Sequence, residues 1–338
     1  MELVYALGSA ETRKLRYLYR HSGIDHRYSV VPDYSCEIND WVFYPQTENL
    51  EPFPSLEQRM QLFNLQAAPL SVAAIHACIR GIATTRELTH LITVSCTGMS
   101  APGLDLQILE RMALPKNIYR TSVNFMGCYA AIHALKVADA ICSQQKNARV
   151  LIVCTELCTL HFQKEPTIDN ITSSLLFGDG SAAVLITGDE HKNQGLHLAH
   201  FYSEIIARGK KDMSWQLSSS GFLMKLTSYI PELLEQDFSP LVTRALERAA
   251  ADKNEIASWC IHPGGKRILD AIHRSLDLNN GALSCSYETL REVGNISSAG
   301  ILFALKKVME KDLVPGQKIF GAAFGPGLTM ETFLAHWN

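Results

Sequence analysis

The sequence lacks several features that would have pointed elsewhere. Its nine cysteines, at 36, 78, 96, 128, 142, 154, 158, 260 and 285, are odd in number and scattered, with no Cys-x-x-Cys pair and no zinc-ligand spacing. They read mostly as small buried hydrophobes of a reducing compartment, and no metal site is expected. The 31 basic residues against 34 acidic ones leave a formal charge of -3. No polyanion-binding surface follows from that balance, so nucleic acid is not expected as a partner. Met1-Glu2-Leu3 opens no basic segment followed by an apolar run, and no uninterrupted run reaches the roughly 18 apolar residues of a membrane span. The expectation is a cytoplasmic protein without a membrane segment. There is no low-complexity stretch and no long linker; Asp40 to Pro54, with three prolines, reads as an irregular surface excursion.

What is present is a large apolar content, 47% of 338 residues, enough for one big core or two interlocked halves. Short β-branched runs alternate with longer amphipathic stretches, which favours an α/β fold. Strands are expected at Leu88 to Ser95, Tyr119 to Asn124, Val150 to Thr155 and Gly180 to Thr187, with helices at Leu104 to Met112 and Ala130 to Cys142. Polar residues Asp189 to Gln194 make a seam, dividing the chain into halves 1–188 and 189–338. The second series has strands at Leu196 to Ile206 and Ala257 to Ile261, and helices at Leu241 to Lys253, Lys266 to Leu276 and Ser297 to Glu310. It ends in a hairpin, Lys318 to Phe324 with Thr329 to Leu334, joined by Gly325-Pro326-Gly327. The stretch from Ala130 faintly echoes that from Ala299, a weak internal repeat.

Three places carry chemistry. Cys128, after Gly127, lies where a strand gives way to a helix, a position whose backbone N–H groups favour a thiolate; the alternative is one more packed cysteine. His262 stands at the end of a strand before the rigid turn Pro263-Gly264-Gly265, at the sheet edge where open α/β folds place ligands; otherwise it is a capping or core histidine. Asn295, between Gly294 and Ile296-Ser297-Ser298, is either a site residue or the cap of the helix that follows.

Six segments bear on that choice: Cys-Thr-Gly-Met-Ser-Ala-Pro-Gly-Leu-Asp (96 to 105), Phe-Met-Gly-Cys-Tyr-Ala-Ala (125 to 131), Leu-Phe-Gly-Asp-Gly (176 to 180), His-Pro-Gly-Gly (262 to 265), Gly-Asn-Ile-Ser-Ser-Ala (294 to 299) and Gly-Pro-Gly-Leu-Thr (325 to 329). Their wording and order resemble the chalcone synthase-like, or type III, polyketide synthases, over nearly the whole chain from Lys14 onward. The segments around Glu156-Leu157-Cys158 and Met213-Ser214-Trp215 are similar to the bacterial branch. The resemblance implies a thiolase-like fold, five layers in αβαβα order with two pseudo-symmetric halves, and a homodimer. It implies Cys128 as acyl-carrying nucleophile, His262 as its ion-pair partner and Asn295 as a second hydrogen-bond donor to the thioester carbonyl. Acyl-CoA and malonyl-CoA would be substrates, with no cofactor beyond these coenzyme A thioesters. Repeated decarboxylative condensation and cyclisation would give a pyrone or a phenolic ring.

The resemblance also implies a set of cavity residues. Phe177 matches the family's gatekeeper phenylalanine, Met224 stands at the second gatekeeper place, and Ser297 matches a cavity serine. Trp215 replaces a small cavity residue, and His161 stands where a small polar one is usual in plants. Ala101 occupies the place of a methionine that reaches into the partner subunit's cavity. A cavity narrowed at Trp215 and opened near Ala101 is expected. For coenzyme A, Lys14 falls on a family cation, while Arg16 and Arg20 flank the others. Only about a dozen residues precede Lys14, where the family carries a strand and part of a helix, so either the start is trimmed or a sheet edge lies exposed.

Three other readings fit less well. Ketoacyl-acyl carrier protein synthase III shares fold and triad, but its histidine motif usually continues differently. A biosynthetic thiolase would want a second catalytic cysteine in a Cys-x-Gly setting, which Cys260 and Cys285 do not supply. An inactive acyl-binding partner would not need all three catalytic residue types.

Overall fold

The computed structural model describes residues 5, 8–47, 49–188, 195–227 and 229–338. The seam expected at Asp189 to Gln194 lies outside them. In chain order the main elements are α1 (Ser9–His21), α2 (Leu56–Ile79), β1 (His90–Ser95), α3 (Leu104–Arg111), β2 (Tyr119–Asn124), α4 (Ala130–Gln144), β3 (Arg149–Leu157), α5 (Ile168–Leu176) and β4 (Asp179–Thr187). Next come β5 (Leu196–Ile205), β6 (Met213–Ser218), β7 (Gly221–Leu226), α6 (Ile230–Arg248), β8 (Ile256–Ile261), α7 (Lys266–Ser275), α8 (Ser284–Val293), α9 (Gly300–Met309), β9 (Lys318–Gly325) and β10 (Thr329–Trp337).

Two mixed sheets organise these elements. The first has the order β2-β1-β3-β4, parallel except for β4, and the second the order β5-β10-β9-β8, with β10 antiparallel to both neighbours. Their central strands are buried on both faces, so they read as continuous apolar runs, and their side chains alternate between two cores. On β3, Val150, Ile152 and Cys154 face one way, while Leu151 and Val153 face the other, toward α2 and α3. On β10, Phe333 and Ala335 join the first group, while Met330 and Leu334 pack against α6 and α7. Between the sheets lie α4 and α9, whose alanines (Ala130, Ala131, Ala134, Ala138 and Ala304) are fully buried and let two sheets close on two helices. The layers run α2/α3, sheet, α4/α9, sheet, α6/α7, the expected αβαβα order.

Several elements depart from the sequence reading. α2 was not anticipated, although Ser55 and Gln58 cap its start reciprocally, Ser55 Oγ accepting from Gln58 N at 3.3 Å and Gln58 Oε1 from Ser55 N at 2.8 Å. By length and composition its 24 residues could cross a membrane. In the fold its buried Phe63, Ala67, Ala68, Ile75 and Ile79 belong to the core under the first sheet. α6 begins at Ile230 rather than Leu241, because Pro231 suits a first turn and Pro240 is carried inside the helix instead of breaking it. The helix expected over Ser297 to Glu310 is a short tight turn at Ser297–Ala299 followed by α9.

One buried charge ties α4 to the second sheet. Glu331 on β10 is 2% exposed and takes Lys136, His133 (Nε2 at 3.2 Å) and Ser203 Oγ at 2.6 Å. Burial alone would raise its carboxyl, but the hydrogen bonds from His133, Lys136 and Ser203 outweigh that and hold it below the ordinary glutamate range. A depressed carboxyl adds stability above its unfolded pKa and loses it as pH falls through the folded one. Glu331→Gln is therefore expected to cost about 2 kcal/mol at pH 7, with the gap to the unmodified protein closing below about pH 4, in urea denaturation followed across pH.

Candidate active site

The first sheet delivers Cys128. After β2 the chain turns through Phe125 and Gly127, with φ of 58° and 83°, before α4 begins at Ala130. Only glycine fits at 127: a Cβ there would lie 2.2 Å from Pro326 Cδ, in the turn between β9 and β10. Gly325 answers from the other side, since its own Cβ would meet the Tyr129 ring at 2.7 Å and Cys128 N at 3.2 Å. The second sheet thus touches the cysteine turn with nothing between.

His262 leaves the end of β8, its N–H bonded to Ala322 O at 2.9 Å. The ring is 1% exposed, and among the described residues no group hydrogen-bonds either ring nitrogen. Asn295 follows α8 and Gly294, whose φ of 70° turns the chain inward. Its Oδ1 accepts Ser297 N–H at 2.9 Å, so the capping role expected of such an asparagine is present in local form. Its Nδ2 donates one hydrogen to Gly264 O at 3.2 Å, which leaves the second for another acceptor. The backbone of Asn295 is stitched to the Phe177 segment: Asn295 N donates to Leu176 O at 2.8 Å and Gly178 N to Asn295 O at 3.0 Å.

Cys128, His262 and Asn295 border one cavity of about 370 Å³, and Cys128 Sγ lies 3.7 Å from Ser297 Oγ. Phe177, Met224, Trp215, His161 and Ser297 border it too. Ala101 does not: it is exposed and outside the cavity of its own chain. Lys14, Arg16 and Arg20 also fall outside the cavity wall. Only the end of α1 and the loop after it reach the cavity, with Tyr19, Ser22, Asp25, His26 and Arg27. Arg27 carries no mark in the sequence. It donates to the backbone carbonyls of Ser174 and Phe177 and lies under the Phe177 crossing. Cys96, Thr97 and Phe222 are further wall residues that the sequence did not single out. Among the described residues no group of three or more His, Cys, Asp or Glu is placed to hold a metal ion.

The electrostatics oppose charge. Burial pushes the Cys128 thiol up to about 12, although the Ser297 hydroxyl beside it pulls the other way, and burial pushes His262 down to about 3. Burial thus works against the resting thiolate that the start of a helix was expected to favour. Beneath them Glu156 is fully buried, and burial raises its carboxyl to about 7 despite bonds from Ser298, Cys96 N and Thr97. A thiol whose pKa is raised deprotonates late, so alkylation of Cys128 in the substrate-free protein should keep rising from pH 7 to 10, by up to about tenfold per unit. Iodoacetamide kinetics with peptide mapping measure this; a plateau below pH 8 would mean that His262 holds a thiolate at rest.

Comparison with known proteins gives a consistent set of relatives. The family model of the N-terminal domain of chalcone and stilbene synthases matches residues 8–190, and that of their C-terminal domain matches residues 197–337. Type III polyketide synthase C of Arabidopsis thaliana is 29% identical over 334 residues, covering 95% of this chain and 85% of that protein. The 3,5-dihydroxyphenylacetyl-CoA synthase of Amycolatopsis orientalis is 28% identical over 331 residues, 97% of this chain and 86% of that protein. Among solved structures, 1,3,6,8-tetrahydroxynaphthalene synthase from Streptomyces coelicolor superposes with a TM-score of 0.89 at 25% identity, covering 100% of this chain and 92% of that one. PKS-I from the brown alga Ectocarpus siliculosus shares the fold, with a TM-score of 0.90 at 23% identity, 99% of this chain and 92% of that one.

Proposed function

The chain belongs to the chalcone and stilbene synthase family, the type III polyketide synthases, which are condensing acyltransferases, and from that premise we propose how its cavity divides the work. Cys128 attacks the thioester carbonyl of a starter acyl-CoA and gives its proton to His262, and coenzyme A leaves with a proton in exchange. Malonyl-CoA then enters and loses carbon dioxide, the electron pair passing into the thioester carbonyl to form an enolate. That enolate oxygen lies between a ring N–H of His262 and the spare hydrogen of Asn295 Nδ2. Its carbon attacks the acyl group on Cys128 and expels the sulfur as a thiolate, which takes up a proton from solvent; the β-ketoacyl-CoA formed reloads Cys128 by the first step, and repetition with cyclisation follows.

The observation that carries this reading is the His262 ring. An imidazole that is fully buried with both nitrogens unpartnered is costly unless it acts on something that enters, and it borders the same cavity as Cys128 and Asn295. The raised thiol and lowered imidazole fit a neutral pair that separates charge only when substrate supplies compensating dipoles. Relatives named for polyketide chemistry support the acyl-CoA substrate class. In the same reading the protein works as a homodimer, supported by β2, an edge strand of the first sheet exposed on both faces, with Tyr119 67% exposed, and by Met99, 54% exposed in the loop after β1. Ala101, exposed in the same loop as Met99, would then face the partner.

The test is release of free coenzyme A from malonyl-CoA with a panel of acyl-CoA starters, the products identified by mass. Starter-dependent polyketide products are expected; coenzyme A release without any condensed product argues against the proposal. His262→Ala and Asn295→Ala should each slow malonyl-CoA decarboxylation by about two orders of magnitude, because each removes a donor to one developing oxyanion. Near-normal carbon dioxide release from either variant would take that residue out of the site. Sedimentation should give twice the 37.5 kDa chain mass.

A further inference from the structure

The turn that presents Cys128 is held from beneath by Cys96. The Cys96 sulfur accepts the Gly127 N–H at 3.0 Å, and the Cys96 N–H is taken by Glu156 at 2.9 Å. The carbonyls of this same segment are taken by two side chains of the cavity wall. Trp215 Nε1 donates to Cys96 O at 2.7 Å, and His161 Nε2 lies 2.7 Å from Thr97 O. The other His161 nitrogen settles its tautomer: Nδ1 lies 3.1 Å from Phe222 N–H and must accept, so Nε2 carries the hydrogen and donates. The His161 ring stacks on Phe222 at 4.2 Å and meets Trp215 edge-on at 5.6 Å. Both polar atoms of His161 and the one N–H of Trp215 are therefore engaged by protein backbone, and neither side chain has a donor left for substrate.

We infer that Trp215 and His161 are positioning residues as well as cavity walls: their hydrogen bonds hold the backbone of Cys96 and Thr97 and, through the Cys96 sulfur, the turn that aims Cys128 at His262. This rests on the reading of Cys128 as nucleophile. It couples two properties in one side chain, because the indole that lines the cavity also bears on the turn that carries the thiol. A change of Trp215 made to enlarge the cavity then also loosens the nucleophile.

Two substitutions in the full chain separate the roles. Trp215→Phe keeps most of the ring and loses the donor, whereas Trp215→Gln keeps a donor and gives up bulk. The rate of Cys128 alkylation by iodoacetamide is read together with kcat and KM for malonyl-CoA decarboxylation, product length and melting temperature. The Phe variant is expected to alkylate about tenfold more slowly, with kcat reduced in step, KM within about twofold and product length unchanged. The Gln variant should alkylate faster than the Phe variant and yield longer products. His161→Phe, which keeps a ring on Phe222 and removes both nitrogens, is an independent arm with the same expected slowing. If Trp215 is filler only, the Phe variant alkylates as fast or faster, since trimming the ring opens the approach, and that result overturns the inference. Failure of the underlying reading is distinguishable: Cys128→Ala would then still form an acyl-enzyme.

Discussion

The arrangement depends on one close contact, where the backbone of Gly127 in the cysteine turn meets the ring of Pro326 in the β9–β10 turn with no room for a side chain on residue 127. A nucleophile on one sheet can act with a histidine and an asparagine carried on the other only if the two sheets approach to within van der Waals distance at that point. The alanine faces of α4 and the start of α9 allow it, since bulkier helices would hold the sheets apart. Glu331, clasping Lys136 and His133, then fixes α4 against rotation about its axis. Packing, the glycines and a buried ion cluster thus serve one geometric end.

Within that frame the site holds its chemistry in uncharged form. Dry surroundings raise the acids, Cys128 and Glu156, and lower the base, His262, so the resting cavity avoids charges that nothing would solvate. A developing oxyanion entering such a cavity meets donors that need no reorganisation, and low local polarisability strengthens each of those bonds. The apolar wall of Phe177, Phe222, Met224 and Trp215 is in this sense part of the electrostatics.

Much of this was legible in the sequence where local rules decide it. Tight glycine turns at strand ends marked Cys128 and His262, and the alternation of β-branched runs with amphipathic ones marked the sheets. α2 escaped although Ser55 and Gln58 spell a capping box, because Pro69 and a helix apolar on most sides obscure the periodicity. Pro240 reads as a boundary along the chain, yet tertiary packing of Leu234, Phe238 and Leu241 carries α6 through it. Of the cations near the start of the chain, Lys14 and Arg16 come before Tyr19, where α1 first borders the cavity, and Arg20, in the last turn, is exposed and stands outside the cavity wall. Cys96 and Thr97 stood in the sequence only as the opening of one family segment, and Arg27 not at all, because each acts through backbone atoms of distant segments, which no side-chain pattern reports.

The stitching of Phe177 to Asn295 has a mechanical meaning. The Phe177 segment and Asn295 share two backbone hydrogen bonds, so under the proposed roles the doorway and the oxyanion donor form one rigid plate rather than two parts. A door that swung on its backbone would drag the donor out of register at each opening. In the proposed reading, entry past Phe177 is then governed by rotation of its ring about its own side-chain bonds, on the timescale of rotamer exchange rather than of loop motion. Admission and chemistry are thereby decoupled in time: the entrance can flicker many times per turnover while the catalytic hydrogen bond stays still.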